Sequence, residues 1–279
     1  MRVHHVNCGT MHPAGGALFD GRPGIARRAT MVCHCLLVET EAGLVLVETG
    51  VGAQAATRLE WLGDRFRRFV RPVMAPEETA LHHVERLGFA ATDVRHILLT
   101  HLDLDHAGGL ADFPHATVHV SATELDALRS PRNDKERRRY RDVQFAHGPR
   151  WAPHEADGEA WFGFTAAREL EGLPSEILMI PLAGHTRGHS GVAVDTGDGW
   201  LLNAGDGYFH PGILTATPRQ PAGSALFESI MQAERQARLD NQARLRALAA
   251  EHGSEVTIFS AHNAEEFEGL ATRSPHGVP

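Results

Sequence analysis

The segment that most restricts how this chain can fold is Val94–Thr100 followed by His101-Leu102-Asp103-Leu104-Asp105-His106-Ala107-Gly108-Gly109. A short apolar run bounded by polar residues reads as a buried strand. Four groups able to bind a metal ion, His101, Asp103, Asp105 and His106, then fall within six residues. In extended chain alternate residues share a face. That spacing predicts His101, Asp103 and Asp105 on one side, with Leu102 and Leu104 turned to the core. Three such side chains cannot all be buried unpaired without a large desolvation cost, and a metal ion removes the conflict.

The same architecture recurs three times. Gly184-His185-Thr186-Arg187-Gly188-His189 follows the apolar run Ile177–Leu182, Asn203-Ala204-Gly205-Asp206-Gly207 follows Trp200–Leu202, and Ser260-Ala261-His262-Asn263 follows Val256–Phe259. Strand ends along one edge of a sheet are where α/β proteins assemble their sites. Further strands are expected at Met31–Val38, Leu44–Val47, Ala116–Val120 and Gly191–Asp195, the last joined to Trp200–Asn203 by the hairpin signal Thr196-Gly197-Asp198-Gly199. Helices are expected from Pro76 to Gly88 and, as one long element, from about Ser224 to His252. Leu226, Ile230, Leu245 and Leu248 form an apolar stripe on that long helix. Strands paired by hairpins and interleaved with helices make a layered α/β protein. No repeat or linker is visible, so residues 1–279 read as a single domain carrying an inserted helical segment at about 121–151. The charge run Lys135–Asp142 in that insert reads as a solvated helix face.

Composition narrows the partners. Nineteen histidines among 279 residues fit metal binding. A net charge of −8 disfavours nucleic acid. No run of about 18 apolar residues exists to cross a membrane, and Met1-Arg2-Val3-His4-His5 lacks the apolar stretch of a signal peptide. Three cysteines fit a reducing cytoplasm, and Cys33 and Cys35 read as small buried hydrophobes rather than a metal clip. The remaining expectation is a small-molecule substrate, with a homodimer compatible.

The four motifs resemble the metallo-β-lactamase superfamily of dinuclear metallohydrolases, whose pattern is HxHxDH, a GHTxGH-type His, an Asp and a last His. The match runs from Glu48 to His262. It implies an αββα four-layer sandwich with metals at one edge. One ion would be held by His101, Asp103 and His185, the other by Asp105, His106 and His262, with Asp206 bridging and His189 in support. Two residues depart from the pattern. Asp103 stands where the family has a second His, and Glu48 in Val47-Glu48-Thr49-Gly50 stands where the family has Asp. Carboxylate oxygen is a legitimate zinc ligand, though it also suits iron or manganese. Two divalent ions, zinc first, are therefore the expected cofactors.

The resemblance implies a metal-bound hydroxide attacking a carbonyl, since a divalent ion lowers the pKa of water from 15.7 to roughly 7. Asp105 or Asp206 would then move the proton. The family's true β-lactamases lack the bridging Asp. Its glutathione-binding thioesterases and flavodiiron oxidoreductases carry extra domains with no counterpart here. The compact acyl-homoserine-lactone lactonase group is the most similar, which implies a lactonase or esterase. An iron-dependent oxidoreductase of the same fold or a glyoxalase-II-type thioesterase is the alternative. In the lactonases a Tyr three residues after the bridging Asp assists the carbonyl. Here Phe209 occupies that place, and Tyr208 is the candidate substitute. Pocket walls are expected from Met11–Gly16, Phe145–Trp151 and Tyr208–Ile213, with His12, His147 and His210 as polar candidates.

Overall fold

Two six-stranded sheets lie face to face in the computed structural model, which describes residues 1–272. Residues 273–279, the end of the expected single domain, lie outside the described residues. The first sheet runs in chain order through β1 (Arg2–Met11), β2 (Met31–Thr40), β3 (Gly43–Val47), β4 (Val94–Leu98), β5 (Thr117–Ser121) and β6 (Arg150–His154). The second runs from β7 (Glu159–Trp161) through β8 (Phe164–Glu169), β9 (Ile177–Pro181), β10 (Ser190–Asp195) and β11 (Trp200–Asn203) to β12 (Val256–Phe259).

Alternation along the strands builds the layers. Leu36, Val38, Val45, Val47 and Leu98 of the first sheet meet Ile177, Met179, Val192, Val194 and Phe259 of the second in a shared core. Their neighbours Leu37, Leu46 and Ile97 point the other way, into a core with Val84 and Leu125 from the covering helices. Leu178, Ile180 and Leu202 turn outward against Leu245 and Leu248 of the helix Arg235–His252. Strands buried on both faces read as continuous apolar runs, as these do, and each fully buried aliphatic side chain contributes about 1.5–3 kcal/mol. The result is the αββα sandwich.

Strand direction gathers the motifs at one rim. β3 and β4 are parallel. In the other sheet β10 lies antiparallel to both β9 and β11, and β12 is parallel to β11, so β9, β11 and β12 point the same way. The loops after β3, β4, β9, β11 and β12 carry Glu48, His101–His106, His185, Asp206 and His262.

Three expectations need correction. The single helix from Ser224 to His252 is two, Ala222–Met231 and Arg235–His252. The helix breaks because the N–H groups of Ala233 and Glu234 turn aside to Gly184 O at 2.8 and 2.9 Å. The stripe is broken with it: Leu226 and Ile230 are 62% and 56% exposed, whereas Leu245 and Leu248 are buried. The insert forms the helices Ala122–Arg129, Asp134–Arg139 and Asp142–Phe145, but its charge run is not wholly a solvated face. Glu136 and Tyr140 are buried and the Arg139 side chain is only 7% exposed. Cys8, Cys33 and Cys35 are free and buried in the first-sheet core.

Candidate metal centre

The chain after β4 does not stay extended. The N–H groups of His106 and Ala107 both donate to Asp103 O, at 3.0 and 2.9 Å, making a turn. Asp105 therefore leaves the face shared by His101 and Asp103, contrary to the alternation expected from sequence. The turn divides the four residues between two clusters. His101, Asp103, His185 and Asp206 form the first, and Asp105, His106 and His262 the second; within each, one donor atom per residue lies within 4.8 Å of the others. All seven residues singled out from sequence as ligands are brought together at the rim.

In the second cluster the two imidazoles face one another, His106 Nε2 to His262 Nε2 at 3.1 Å. Nδ1 of His106 pairs with Glu48 Oε2 at 2.9 Å, and Nδ1 of His262 with Val32 O at 2.7 Å. Both partners only accept, so each ring donates through Nδ1 and both Nε2 atoms are directed at the same space. Asp206 Oδ1 stands 3.3 and 3.1 Å from these two nitrogens, and Asp105 Oδ2 is 3.6 Å from His262 Nε2. Two imidazole nitrogens ringed by carboxylates favour a cation between them, a proton or a metal ion. Burial opposes charge on His106, yet Glu48 and Asp206 push its pKa well above the ordinary value. His262 moves up for the same reason, against burial and through Asp206.

In the first cluster Asp103 Oδ2 lies 3.3 Å from His101 Nε2 and 3.1 Å from His185 Nε2, and Asp206 Oδ2 is 3.1 Å from His185 Nε2. His101 Nε2 is buried with no hydrogen-bond partner among the described residues. These spacings suit four donors around one ion at about 2.0–2.2 Å each. One further group is present. Arg139 forks onto Asp103, Nε to Oδ1 and Nη2 to Oδ2, both at 2.6 Å. Burial alone would raise the Asp103 carboxyl, but the guanidinium and His101 hold it well below the carboxylate range.

Buried hydrogen bonds support both clusters. His189 uses Nδ1 on Leu182 O at 2.9 Å and Nε2 to accept from the N–H of Asp206 at 3.0 Å, which fixes the Asp206 loop. Gly205 precedes it with φ +53; a Cβ there would meet His189 Nε2 and Thr100 Oγ1 at 2.7 Å, so only glycine fits. Glu124 accepts from the N–H of Leu102 at 3.0 Å and, through its other oxygen, from the Thr186 hydroxyl at 2.6 Å and the N–H of Gly188 at 3.2 Å. It ties the His101 and His185 loops together. Sequence reasoning missed Glu124 and Arg139, and apart from their charge in the insert nothing singled either out.

Tyr208 is a correction. It is fully buried in the second-sheet core, and its hydroxyl donates to Glu266 Oε1 at 2.7 Å, so it cannot assist a substrate at the rim. Phe209 faces the centre instead, stacked on His262 at 5.5 Å and 11° and packed against Phe227, which meets Phe19. A cleft beside His262 is lined by Phe19, Met31 and Phe209 together with Asp20, Arg22, Thr30 and Glu265, which puts the chain around 19–31 in its wall. Phe145 and Trp151 pack on each other and against the helix-side core. His12 Nδ1 bonds Ala29 O at 3.2 Å and His210 Nδ1 accepts from the N–H of Gly212 at 3.1 Å, both local loop contacts, and His147 is exposed.

Known proteins place this geometry. The chain is 42% identical over 269 residues to a probable metallo-hydrolase of Mycobacterium tuberculosis, covering 96% of this chain and 82% of that one. It is 33% identical over 94 residues to an N-acyl homoserine lactonase of Bacillus thuringiensis, 33% of this chain and 38% of that one. Its fold superposes on the crystal structure of a B. thuringiensis AiiA variant with N-decanoyl-L-homoserine bound at the active site, with a TM-score of 0.72, 19% identity and coverage of 96% and 95%. Because the metallo-beta-lactamase superfamily pattern matches residues 29–244, more than half its length, this chain belongs to that superfamily and is a metallohydrolase.

Proposed function

We propose that this enzyme cleaves a carbonyl ester bond, a lactone or ester of a small hydrophobic molecule, at a metal centre held by His101, Asp103, Asp105, His106, His185, Asp206 and His262, with zinc as the native metal. The observation that carries the reading is the pair of facing Nε2 atoms of His106 and His262, each ring anchored through Nδ1 and both flanked by Asp206. A bound divalent ion supplies Lewis acidity and a water that deprotonates near neutrality.

The chain's own residues supply the rest. Asp105 is the least buried of the three aspartates, and burial pushes its carboxyl upward, which suits a group that takes a proton and returns it to the leaving alkoxide. Asp206, held by His189, lies against both clusters and would serve whichever ion either one holds. Phe209, Phe227 and Phe19 form a continuous apolar path away from His262, a surface for an acyl tail. The lactonase relative supports a lactone as the substrate class. Free, buried cysteines fit a reducing compartment, the cytoplasm.

The test is a screen of the zinc-loaded protein against acyl-homoserine lactones, other lactones, aryl esters and thioesters, with a phosphodiester as control. Turnover of a lactone or ester that a chelator abolishes is the expected result. Cleavage of the phosphodiester alone would overturn the assignment.

A further inference from the structure

The two clusters differ in one respect: among the described residues, an arginine reaches only the first. Arg139 extends from the last turn of the helix Asp134–Arg139, and all five of its N–H groups are engaged. Nε and Nη2 bind the two oxygens of Asp103, and Nη1 donates to His185 O at 3.1 Å and Met231 O at 2.7 Å, the latter at the end of the helix Ala222–Met231. The fifth N–H, on Nη2, reaches His185 Nε2 at 2.5 Å.

That last contact decides the matter. A carboxylate oxygen has lone pairs enough for both a guanidinium and a metal, whereas an imidazole Nε2 has one in the ring plane. With Arg139 bonded to it, His185 Nε2 is not free to ligate. An ion joining Asp103 Oδ2 to His185 Nε2 would also have the guanidinium as its direct neighbour, charge against charge. The second cluster has no such occupant: among the described residues, no Arg or Lys ion pair reaches Asp105, and the groups beside the facing Nε2 atoms are each other and the carboxylates of Asp105 and Asp206. The second cluster fits a divalent ion as it stands, and the first fits one only with Arg139 displaced.

We propose that Arg139 is the resident cation of the first cluster, competing with a divalent ion for His185 Nε2, so that the centre binds one ion tightly in the second cluster and a second far more weakly. This rests on the metal-centre reading above and departs from the symmetrical two-ion site that the superfamily resemblance implies. Arg139 acts through Asp103 and His185 as a positioning residue. It also accounts for Asp103 itself: an imidazole at that place could not take a two-pronged guanidinium, and a carboxylate does so with ideal geometry.

The experiment is a zinc titration of the metal-stripped protein against a chromophoric chelator, with elemental analysis of the product. The wild type is expected to hold one equivalent tightly and a second at least about tenfold more weakly. In Arg139→Gln the second equivalent is expected to tighten by about ten- to a hundredfold, and saturating zinc is expected to raise the Tm of that variant more than it raises the wild type's. Two wild-type equivalents of matched affinity would overturn the inference and leave the proposed function standing. Absence of any bound zinc in the wild type would overturn both. An unchanged gap in folded Arg139→Gln, or loss of its tight ion, would show that Arg139 supports the first cluster instead of competing for it. If that variant does not fold, the wild-type titration alone still decides.

Discussion

Glu48 holds two partners at once: Nδ1 of His106 at 2.9 Å through one oxygen and the N–H of Thr100 at 2.7 Å through the other. It does so from a backbone with φ 67, unusual for a residue with a side chain. The longer carboxylate thus spans from the end of β3 to the His101 loop and sets the ring proton of His106. Glu48→Gln keeps the length but removes the charge that fixes this tautomer. Zinc affinity is expected to fall by about ten- to a hundredfold with the fold retained. Chelator competition with far-UV circular dichroism as control reads it, and unchanged affinity would reduce Glu48 to a spacer.

Among the described residues, Asp206 is the carboxylate within reach of both clusters, 3.1 Å from His185 Nε2 and 3.1 Å from His262 Nε2. Asp206→Ala is expected to lose tight zinc and to lower kcat/KM by about a hundredfold or more. His185→Ala should behave differently. If Arg139 holds the first cluster, the tight ion survives in His185→Ala while hydrolysis falls. Elemental analysis beside the rate assay separates the two outcomes.

Tyr208 offers the opposite test, because its hydroxyl serves the core and not the rim. In Tyr208→Phe the Glu266 carboxyl loses a buried donor but keeps the N–H of Ser260 at 2.9 Å. A loss of about 1–2 kcal/mol in stability is expected, with kcat/KM within about threefold of wild type. A larger fall in kcat, without unfolding, would return Tyr208 to the reaction.

The sequence disclosed the rim more fully than it disclosed what supports it. Each motif follows an apolar run whose period marks it as a strand, so His101, His185, Asp206 and His262 could be placed together before any coordinates. Alternation puts Asp105 on the face of His101 and Asp103, and the turn closed by Asp103 O, which has no distinct residue pattern, takes it off that face. β1 went unseen: its run, Arg2–Met11, mixes His, Asn and Thr with apolar residues, although Val6, Cys8 and Met11 reach the core. Arg139 was invisible for a different reason. Arg137, Arg138 and Arg139 are chemically identical, and only the docking of the insert decides which one turns inward. Leu226 and Ile230 fit an amphipathic helix by spacing, yet the break at 232–234, driven by the Gly184 carbonyl, rotates that stripe to the outside.

Stability should weaken on mild acidification through histidines held neutral in the interior. Burial lowers His5 to about 4, helped by His4, and lowers His119 to about 3, helped by His154 and His96. The unfolded chain takes up these protons near pH 6.5, while the folded chain refuses them until about 4 and 3. The unfolded state therefore binds more protons in that window, and stability rises with pH across it. It is complete above pH 6.5 and is lost as the pH falls toward 4 and then 3, by about 1.4 kcal/mol per unit for each group. Urea midpoints measured from pH 7 to 4 read the slope, and His119→Gln should flatten it. A slope unchanged in that variant would mean that His119 does not contribute.

Glu124 is where the insert and the centre meet. It is fully buried, and its oxygens take the N–H groups of Leu102 and Gly188 and the hydroxyls of Thr186 and Tyr140. Four donors converge on one side chain, and two of them are backbone groups of the loops bearing His101 and His185. Removing it in Glu124→Ala leaves those donors buried without an acceptor, at a cost of about 1–3 kcal/mol for each that finds no water. The variant is expected to lose several kcal/mol of stability and, where it still folds, to bind zinc less tightly because the two loops drift apart. Glu124→Gln distinguishes acceptor from charge. The amide retains one acceptor oxygen, so the Leu102–Tyr140 pair or the Thr186–Gly188 pair is kept but not both. Its stability should fall between wild type and the alanine variant. Equal stability of Gln and Glu at this position would show that the carboxylate does not clamp the two loops.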